Sequence, residues 1–241
     1  MRYPLLGTTL DLGRTKGEVL ISPQWVVVDK MMGTIWDGTF TGRVLAQIDD
    51  GDALNGSFVL QDMNLTSIGK SYDKKMEKAT VHGAIEFSSK GGNMNSIQAK
   101  GEAALVHGDL VEIPLFGFLG EALSNYIPGL GHLINYKISR ADCDFSIEKG
   151  YVRTSNFVAH GSNMSLEGGG WIRLSDLQVN SDFKLGLRGL PGFITSPVFL
   201  LAGGLFQVRG TGPLSNVSWN FAPFSGGKAP VPPASVSTRK R

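Results

Sequence analysis

The chain has one cysteine, no long hydrophobic run and little imbalance of charge. Because Cys143 is alone among 241 residues, neither an intrachain disulfide nor a cysteine-rich metal site can form. The net charge of +2, from 23 basic and 21 acidic side chains, gives no reason to expect nucleic acid as a partner. Residues 1–30 hold no apolar segment of signal-peptide type, and no stretch of about 20 apolar residues predicts a membrane span. The chain as given is therefore expected to be soluble, and cytosolic unless a segment ahead of Met1 is missing.

The sequence also lacks the residue patterns of common active sites. Gly69-Lys70-Ser71 is not a phosphate-binding loop, since position 64 is asparagine where that motif needs its first glycine. The histidines show no pair at metal-ligand spacing: His82, His107, His132 and His160. Asp142 and Asp144 share a strand face, as the paired carboxylates of a glycan hydrolase would, but so do most alternating polar residues. We predict no enzyme activity, no catalytic residues, no metal site and no cofactor.

Many short strands with one apolar and one polar face account for most of the chain. The clearest strand alternates Ala141, Cys143, Phe145 and Ile147 with Asp142, Asp144, Ser146 and Glu148. The 32 glycines separate such runs, and three dipeptides predict turns: Asp37-Gly38, Asp50-Gly51 and Lys149-Gly150. Alternation of this kind is typical of an antiparallel sheet that faces water on one side. Roughly twelve strands at about 4.8 Å spacing would extend for about 55 Å.

One helix and one tail interrupt this pattern. Residues 116–136 carry apolar side chains at helical spacing, with Pro128 and Gly129 expected to break or kink the helix. The segment 224–241 is rich in proline and serine, ends in basic residues and is expected to be disordered. We predict a mainly β fold: a curved, elongated antiparallel sheet with one main helix around 116–136. One helix cannot cover a dozen strands, so the apolar side must curl on itself, pair with a second sheet or hold an apolar ligand.

Several stretches together resemble the C-terminal region of the AsmA-like family, which includes the TamB relatives. The first runs from Gly83 to Leu119 and contains SKG, AKGEAAL and IPLFGFL. Three later strands follow in the same order, at Cys143–Gly150, Leu166–Leu174 and Val208–Trp219. The resemblance covers about residues 33–223. It implies three parts: N-terminal strands of a truncated β-groove at 1–32, an AsmA-like domain at 33–223 and the tail at 224–241.

The resemblance further implies an open, taco-like β-groove with an apolar inside. Family members are anchored in the inner membrane of Gram-negative bacteria by an N-terminal helix, project into the periplasm and are implicated in phospholipid movement towards the outer membrane. The expected function is thus a non-enzymatic, periplasmic lipid-transfer module that supports outer-membrane homeostasis or assembly. Its expected partners are phospholipid acyl chains and a membrane surface, reached through an N-terminal anchor that is missing from this chain or separate from it.

The residues expected to line the groove are the apolar members of the alternating strands. They are Phe40, Val44, Ile48, Phe58, Leu60, Ile85, Phe87, Phe145, Ile147, Ile172, Leu174, Phe183, Leu185 and Leu187. The same residues would form a dry core if the sheet were closed. The alternative prediction is therefore a closed β-sandwich or β-solenoid that acts as an interaction or structural module without bound lipid.

Overall fold

The structure is a computed structural model, and it describes residues 2–5, 8–11, 13–48, 53–71, 78–91, 94–107, 138–162, 164–187, 205–214 and 216–223. The predicted helix at 116–136, the tail at 224–241 and the predicted turn at Asp50-Gly51 lie outside these residues. Within them the chain is mainly β, and the sheet is curved and open, as predicted.

Fourteen strands and two short helical segments are described. The strands are β1 (Arg2–Leu5), β2 (Thr8–Asp11), β3 (Thr15–Ile21), β4 (Trp25–Ile35), β5 (Gly38–Gln47), β6 (Leu54–Asn64), β7 (Thr80–Ser89), β8 (Gln98–Val106), β9 (Ile138–Glu148), β10 (Tyr151–Gly161), β11 (Met164–Arg173), β12 (Gln178–Leu187), β13 (Leu205–Pro213) and β14 (Ser218–Pro223). Helix α1 spans Leu65–Ser71, and a single 3₁₀ turn spans Met94–Ser96.

Twelve of the strands form one antiparallel sheet. From β3 to β14, each strand is hydrogen-bonded to its neighbours in sequence, while β1 and β2 form a separate two-stranded sheet. The number of strands in the main sheet matches the sequence prediction. The proposed boundary between residues 32 and 33 falls inside β4, so β3 and β4 belong to the same sheet as the later strands.

The strand register aligns one apolar face across the whole main sheet. Between β8 and β9, for example, Ala99 lies opposite Ile147, Gly101 opposite Phe145 and Ala103 opposite Cys143. The same rule holds from β5 to β6, where Phe40 lies opposite Leu60. Because side chains alternate between faces, a slip by one residue would reverse every strand beyond it. We call this side the apolar face and the opposite side, which carries Asp142 and Asp144, the polar face.

Two hairpin turns fix part of this register. Lys149 and Gly150 form the two-residue turn between β9 and β10 with positive φ at both residues, as predicted. The predicted turn at Asp37-Gly38 was wrong by one residue, because Trp36 and Asp37 occupy the two turn positions and Ile35 pairs with Gly38. Gly38 is instead constrained by packing, since a Cβ atom there would lie 2.5 Å from the carbonyl oxygen of Gln61.

Aromatic rings on the apolar face lie over glycines of the preceding strand. A Cβ atom built on Gly42 would lie 2.3 Å from the Phe58 ring, and one built on Gly210 would lie 2.4 Å from the Trp219 ring. Six directly opposed pairs in the described strands share this arrangement: Gly33 with Phe40, Gly42 with Phe58, Gly56 with Phe87, Gly101 with Phe145, Gly168 with Phe183, and Gly210 with Trp219. The glycines thus make room for rings that lie close to the sheet.

This packing predicts that Gly210→Ala destabilises the fold, although glycine to alanine often stabilises a chain by lowering the entropy of its unfolded state. The new methyl group would clash with Trp219, and the expected loss in free energy of unfolding is about 1–3 kcal/mol. Urea unfolding of the purified chain measures it. In a Trp219→Val background the loss should shrink by about 1 kcal/mol, because the ring is gone.

Gly83→Ala is the matched control, since a Cβ atom there meets only the Glu102 carbonyl oxygen, at 3.1 Å. It should cost less than Gly210→Ala. An equal loss for Gly210→Ala with and without the Trp219 ring would contradict the proposed contact.

Candidate binding surface on the apolar face

Burial divides the apolar face into three parts, of which the C-terminal strands form the first. Leu166, Leu185 and Val208 have no exposed surface (0%), and each lies on the apolar face of its strand. The Phe183 ring packs against Phe157, with ring centroids 5.4 Å apart. This region is a closed hydrophobic core.

A second closed region lies where α1 follows β6. Ile35, Phe40 and Met63 are buried together, with Ile68 of the helix packed against them. The helix begins after Asn64, whose side-chain oxygen accepts a hydrogen bond from the backbone N–H of Thr66 at 2.9 Å, as a helix cap does. The α1 helix therefore covers one end of the apolar face of β4 to β7.

Between these two cores the apolar side chains are only half-buried. The Phe58 and Phe87 rings stack with their centroids 6.0 Å apart and their planes at 7°. Neighbouring strands add further half-buried side chains, so that the set runs from β5 to β11: Val44, Phe58, Ile85, Phe87, Phe145, Ile147, Val152 and Ile172. We call these residues the open floor. They offer an apolar surface that the described residues do not cover.

A cavity of ≈ 240 Å³ lies on the apolar face of β9 to β12. Phe145, Val152, Phe157 and Ile172 are among the residues that line it. It could hold about eight groups of the ~30 Å³ size of a water molecule. That is the scale of part of an acyl chain, so the open floor leads to a pocket that suits an apolar ligand.

The predicted groove residues fall into distinct classes. Most are half-buried on the apolar face: Val44, Phe58, Leu60, Ile85, Phe87, Phe145, Ile147 and Ile172. Three are buried in the closed regions and have little surface to offer a ligand: Phe40, Phe183 and Leu185. Ile48 is exposed beyond the end of β5, and Leu174 lies in the turn after β11. Leu187 ends β12, and its side chain lies outside what the structure describes.

The polar face offers little that resembles an acid–base site. Asp142 and Asp144 line a shallow hollow of ≈ 300 Å³ there. Asp142 accepts two hydrogen bonds from Arg140, and Asp144 accepts one from the side-chain amide of Asn156 at 2.7 Å. Among the described residues, no cluster of three or more histidine, cysteine or acidic side chains could hold a metal ion.

Sequence reasoning missed one buried polar group, Asp182. Its carboxylate accepts hydrogen bonds from the side-chain amide of Gln207 at 2.7 Å and from the Arg209 guanidinium at 2.9 Å. Both partners come from β13, more than 20 residues away, so the sequence around Asp182 does not predict these hydrogen bonds. A buried carboxylate needs such donors, so this network ties β12 to β13 on the polar face.

Cys143 lies in the middle of the open floor. Its thiol is on the apolar face, opposite Ala103 and at the lining of the cavity. Burial raises the pKa of the Cys143 thiol, and the carboxylates of Asp144 and Asp142 raise it further. A thiol with a raised pKa is a poor nucleophile at neutral pH. Cys143 is half-buried, and it lies on the face on which the sequence alternation places it.

Comparison of the chain with known protein families, with curated proteins and with solved structures gave no match. Across the part of the chain that is described, no helix has the length and apolar character to cross a bilayer.

The raised pKa predicts that Cys143 reacts slowly with iodoacetamide at neutral pH. The alkylation rate should reach half of its maximum at a higher pH than in the urea-unfolded chain, because only the thiolate reacts. Asp144→Asn should lower that midpoint, since it removes a negative charge that disfavours the thiolate. Mass spectrometry of the alkylated chain measures the rate. A folded-state midpoint at or below the unfolded value would contradict this account of Cys143.

Proposed function

We propose that this chain is a non-enzymatic lipid-binding module that moves phospholipid along its apolar face. The observation that carries the proposal is the open floor, a run of half-buried apolar side chains from β5 to β11. Apolar surface left half-exposed over so many neighbouring strands gains stability when an apolar ligand covers it. Phospholipid acyl chains fit this need, and their headgroups can remain in water at the margin.

The energetics suit transfer as well as binding. Burial of each CH₂ group contributes about 0.8 kcal/mol, so an acyl chain on the floor is held by many small and similar terms. The aromatic rings lie close to the sheet over their glycines, so the floor presents a row of similar apolar steps. A chain can shift along such a row without losing all its contacts at once. The resemblance to the AsmA-like family supports a role in the cell envelope, between the inner and outer membranes of Gram-negative bacteria.

A second candidate function has its own support. The complete burial of Leu166, Leu185 and Val208 is what a closed structural or interaction module would have. The cores at both ends of the apolar face fit either function, and only the open floor favours lipid. The test therefore substitutes a residue of the open floor.

We expect Ile147→Asp to remove bound lipid without unfolding the chain. Ile147 is half-buried on the apolar face between Ala99 and Val152, and a carboxylate there would need water. Native mass spectrometry with lipid extraction, on chain purified from a Gram-negative host, measures the lipid. The wild-type chain should carry phospholipid, and Ile147→Asp should carry little.

Ser146→Asp is the matched control, one residue away on the polar face. Ser146 lies opposite Lys100 on one side and Arg153 on the other, so a new carboxylate is favourably placed. This variant should keep its lipid. A wild-type chain that is stable and lipid-free would reject the lipid function and favour the closed module.

A further inference from the structure

Six of the eight large apolar side chains that are exposed in the described residues lie at one corner of the main sheet. Ile21 is 76% exposed, Val19 and Leu20 are each 56% exposed, and Ile48 is 53% exposed. Trp25 and Leu54 are also exposed and lie at the same ends of β4 and β6. We call the β3–β4 hairpin end from Val19 to Val28, with Ile48 and Leu54 beside it, the hairpin tip.

The tip is apolar on both of its faces. Ile21 lies in register with Val26, Ala46 and Leu54 on the apolar face. Leu20 lies in register with Val27 and Leu45 on the polar face, and Trp25 points to that same side. Leu20 and Trp25 are exposed there, whereas Val27 is buried. A protein partner that docks on a sheet face covers one side. A lipid surface can contact both sides of a hairpin end at once, so exposed apolar side chains on both sides favour a membrane as the partner.

The end of the hairpin is uncharged, and charged side chains begin immediately behind it. The ten residues 19–28 (VLISPQWVVV) contain no charged side chain. Directly behind them, Glu18 pairs with Lys30 at 2.8 Å, and Asp29 faces Arg43 at 3.7 Å. The five residue-to-residue steps from Glu18 to Pro23 span about 16 Å at ~3.3 Å each. This is about half of the ~30 Å hydrocarbon core of a bilayer, so the charged band limits insertion to one leaflet.

The turn at the tip satisfies its own backbone. The N–H of Ser22 donates to the carbonyl oxygen of Trp25 at 2.9 Å, and the Ser22 hydroxyl oxygen accepts from the N–H groups of Gln24 and Trp25. The N–H of Ile48 donates to the carbonyl oxygen of Gln24 at 2.8 Å. Internal hydrogen bonds lower the cost of moving a turn out of water. The edge of β3 keeps outward-facing backbone groups, which places the tip at the boundary between headgroups and acyl chains.

We propose that the hairpin tip inserts into the surface of a membrane and that this places the end of the open floor against lipid. The inference rests on the proposed function, since the tip would bring lipid to the open floor. The row of apolar residues Ile21, Val26, Ala46 and Leu54 is the next row on the apolar face after the one that contains Val44 and Phe87. The partner is a zwitterionic lipid surface. Residues 49–52, which link Ile48 to Ala53, read Asp-Asp-Gly-Asp and would oppose a strongly anionic one.

Flotation with vesicles of pure phosphatidylcholine, and with vesicles that also contain phosphatidylglycerol, tests the proposal. The wild-type chain should bind both, with no gain from phosphatidylglycerol. Ile21→Asp should weaken binding by about tenfold or more, since the lost burial of one isoleucine alone corresponds to roughly that factor. The fluorescence of Trp25 should shift to the blue on binding, measured as the difference from Trp25→Phe because the chain has four tryptophans.

Val59→Asp is the matched control, since Val59 is also an exposed apolar residue but lies in mid-strand on the polar face of β6. It should bind vesicles like the wild type. Wild-type chain that fails to bind phosphatidylcholine would overturn the proposal, as would binding that needs phosphatidylglycerol and is lost in salt. The proposal would also be overturned if the wild-type chain formed a stable dimer that Ile21→Asp dissociates, because the tip would then be a contact between copies.

The two proposals fail separately. Ile147→Asp should lose bound lipid and keep vesicle binding. Ile21→Asp should lose vesicle binding and keep lipid that is already bound. If both variants lose vesicle binding to the same extent, the tip has no separate role and the further inference is wrong.

Discussion

The main sheet depends on a register that lines up the apolar sides of twelve successive strands on one face. Each strand pairs only with its sequence neighbours, so an error at one hairpin would invert the faces of all the strands that follow. The rings that lie over glycines oppose such errors, because only the correct register places a ring beside a residue without a side chain. A large ring moved by one position would meet a side chain or the other face. The glycine content of the chain is thus part of how the apolar face is specified.

That face is not uniform, because its parts differ in how deeply their apolar side chains are buried. Buried side chains near α1 and in β11 to β14 hold the sheet together without help from a ligand. The middle strands leave their apolar side chains half-exposed. A protein that must bind and release an apolar ligand needs both, since a face that depended wholly on the ligand for stability would unfold when empty.

Much of this architecture could be predicted from the sequence, because alternation reports directly on strand faces. The strand that carries Cys143 and Phe145 faces as its pattern indicates, and the turn at Lys149-Gly150 is where its residue types place it. Burial could not be read in the same way. Phe145 and Phe183 have similar sequence surroundings, but only Phe183 lies in a closed core, since burial depends on neighbours distant in sequence. The exposure of Ile21 and the partners of Asp182 were missed for the same reason.

The proposed function requires that acyl chains lie on the open floor and not elsewhere on the sheet. Photo-crosslinking with a phospholipid that carries a diazirine in its acyl chain, followed by mass spectrometry of the labelled peptides, tests it directly. The account predicts labels on apolar-face residues of β5 to β10, such as Phe58, Phe87 and Ile147. Labels on polar-face residues of the same strands, or equal labelling of every exposed surface, would contradict it.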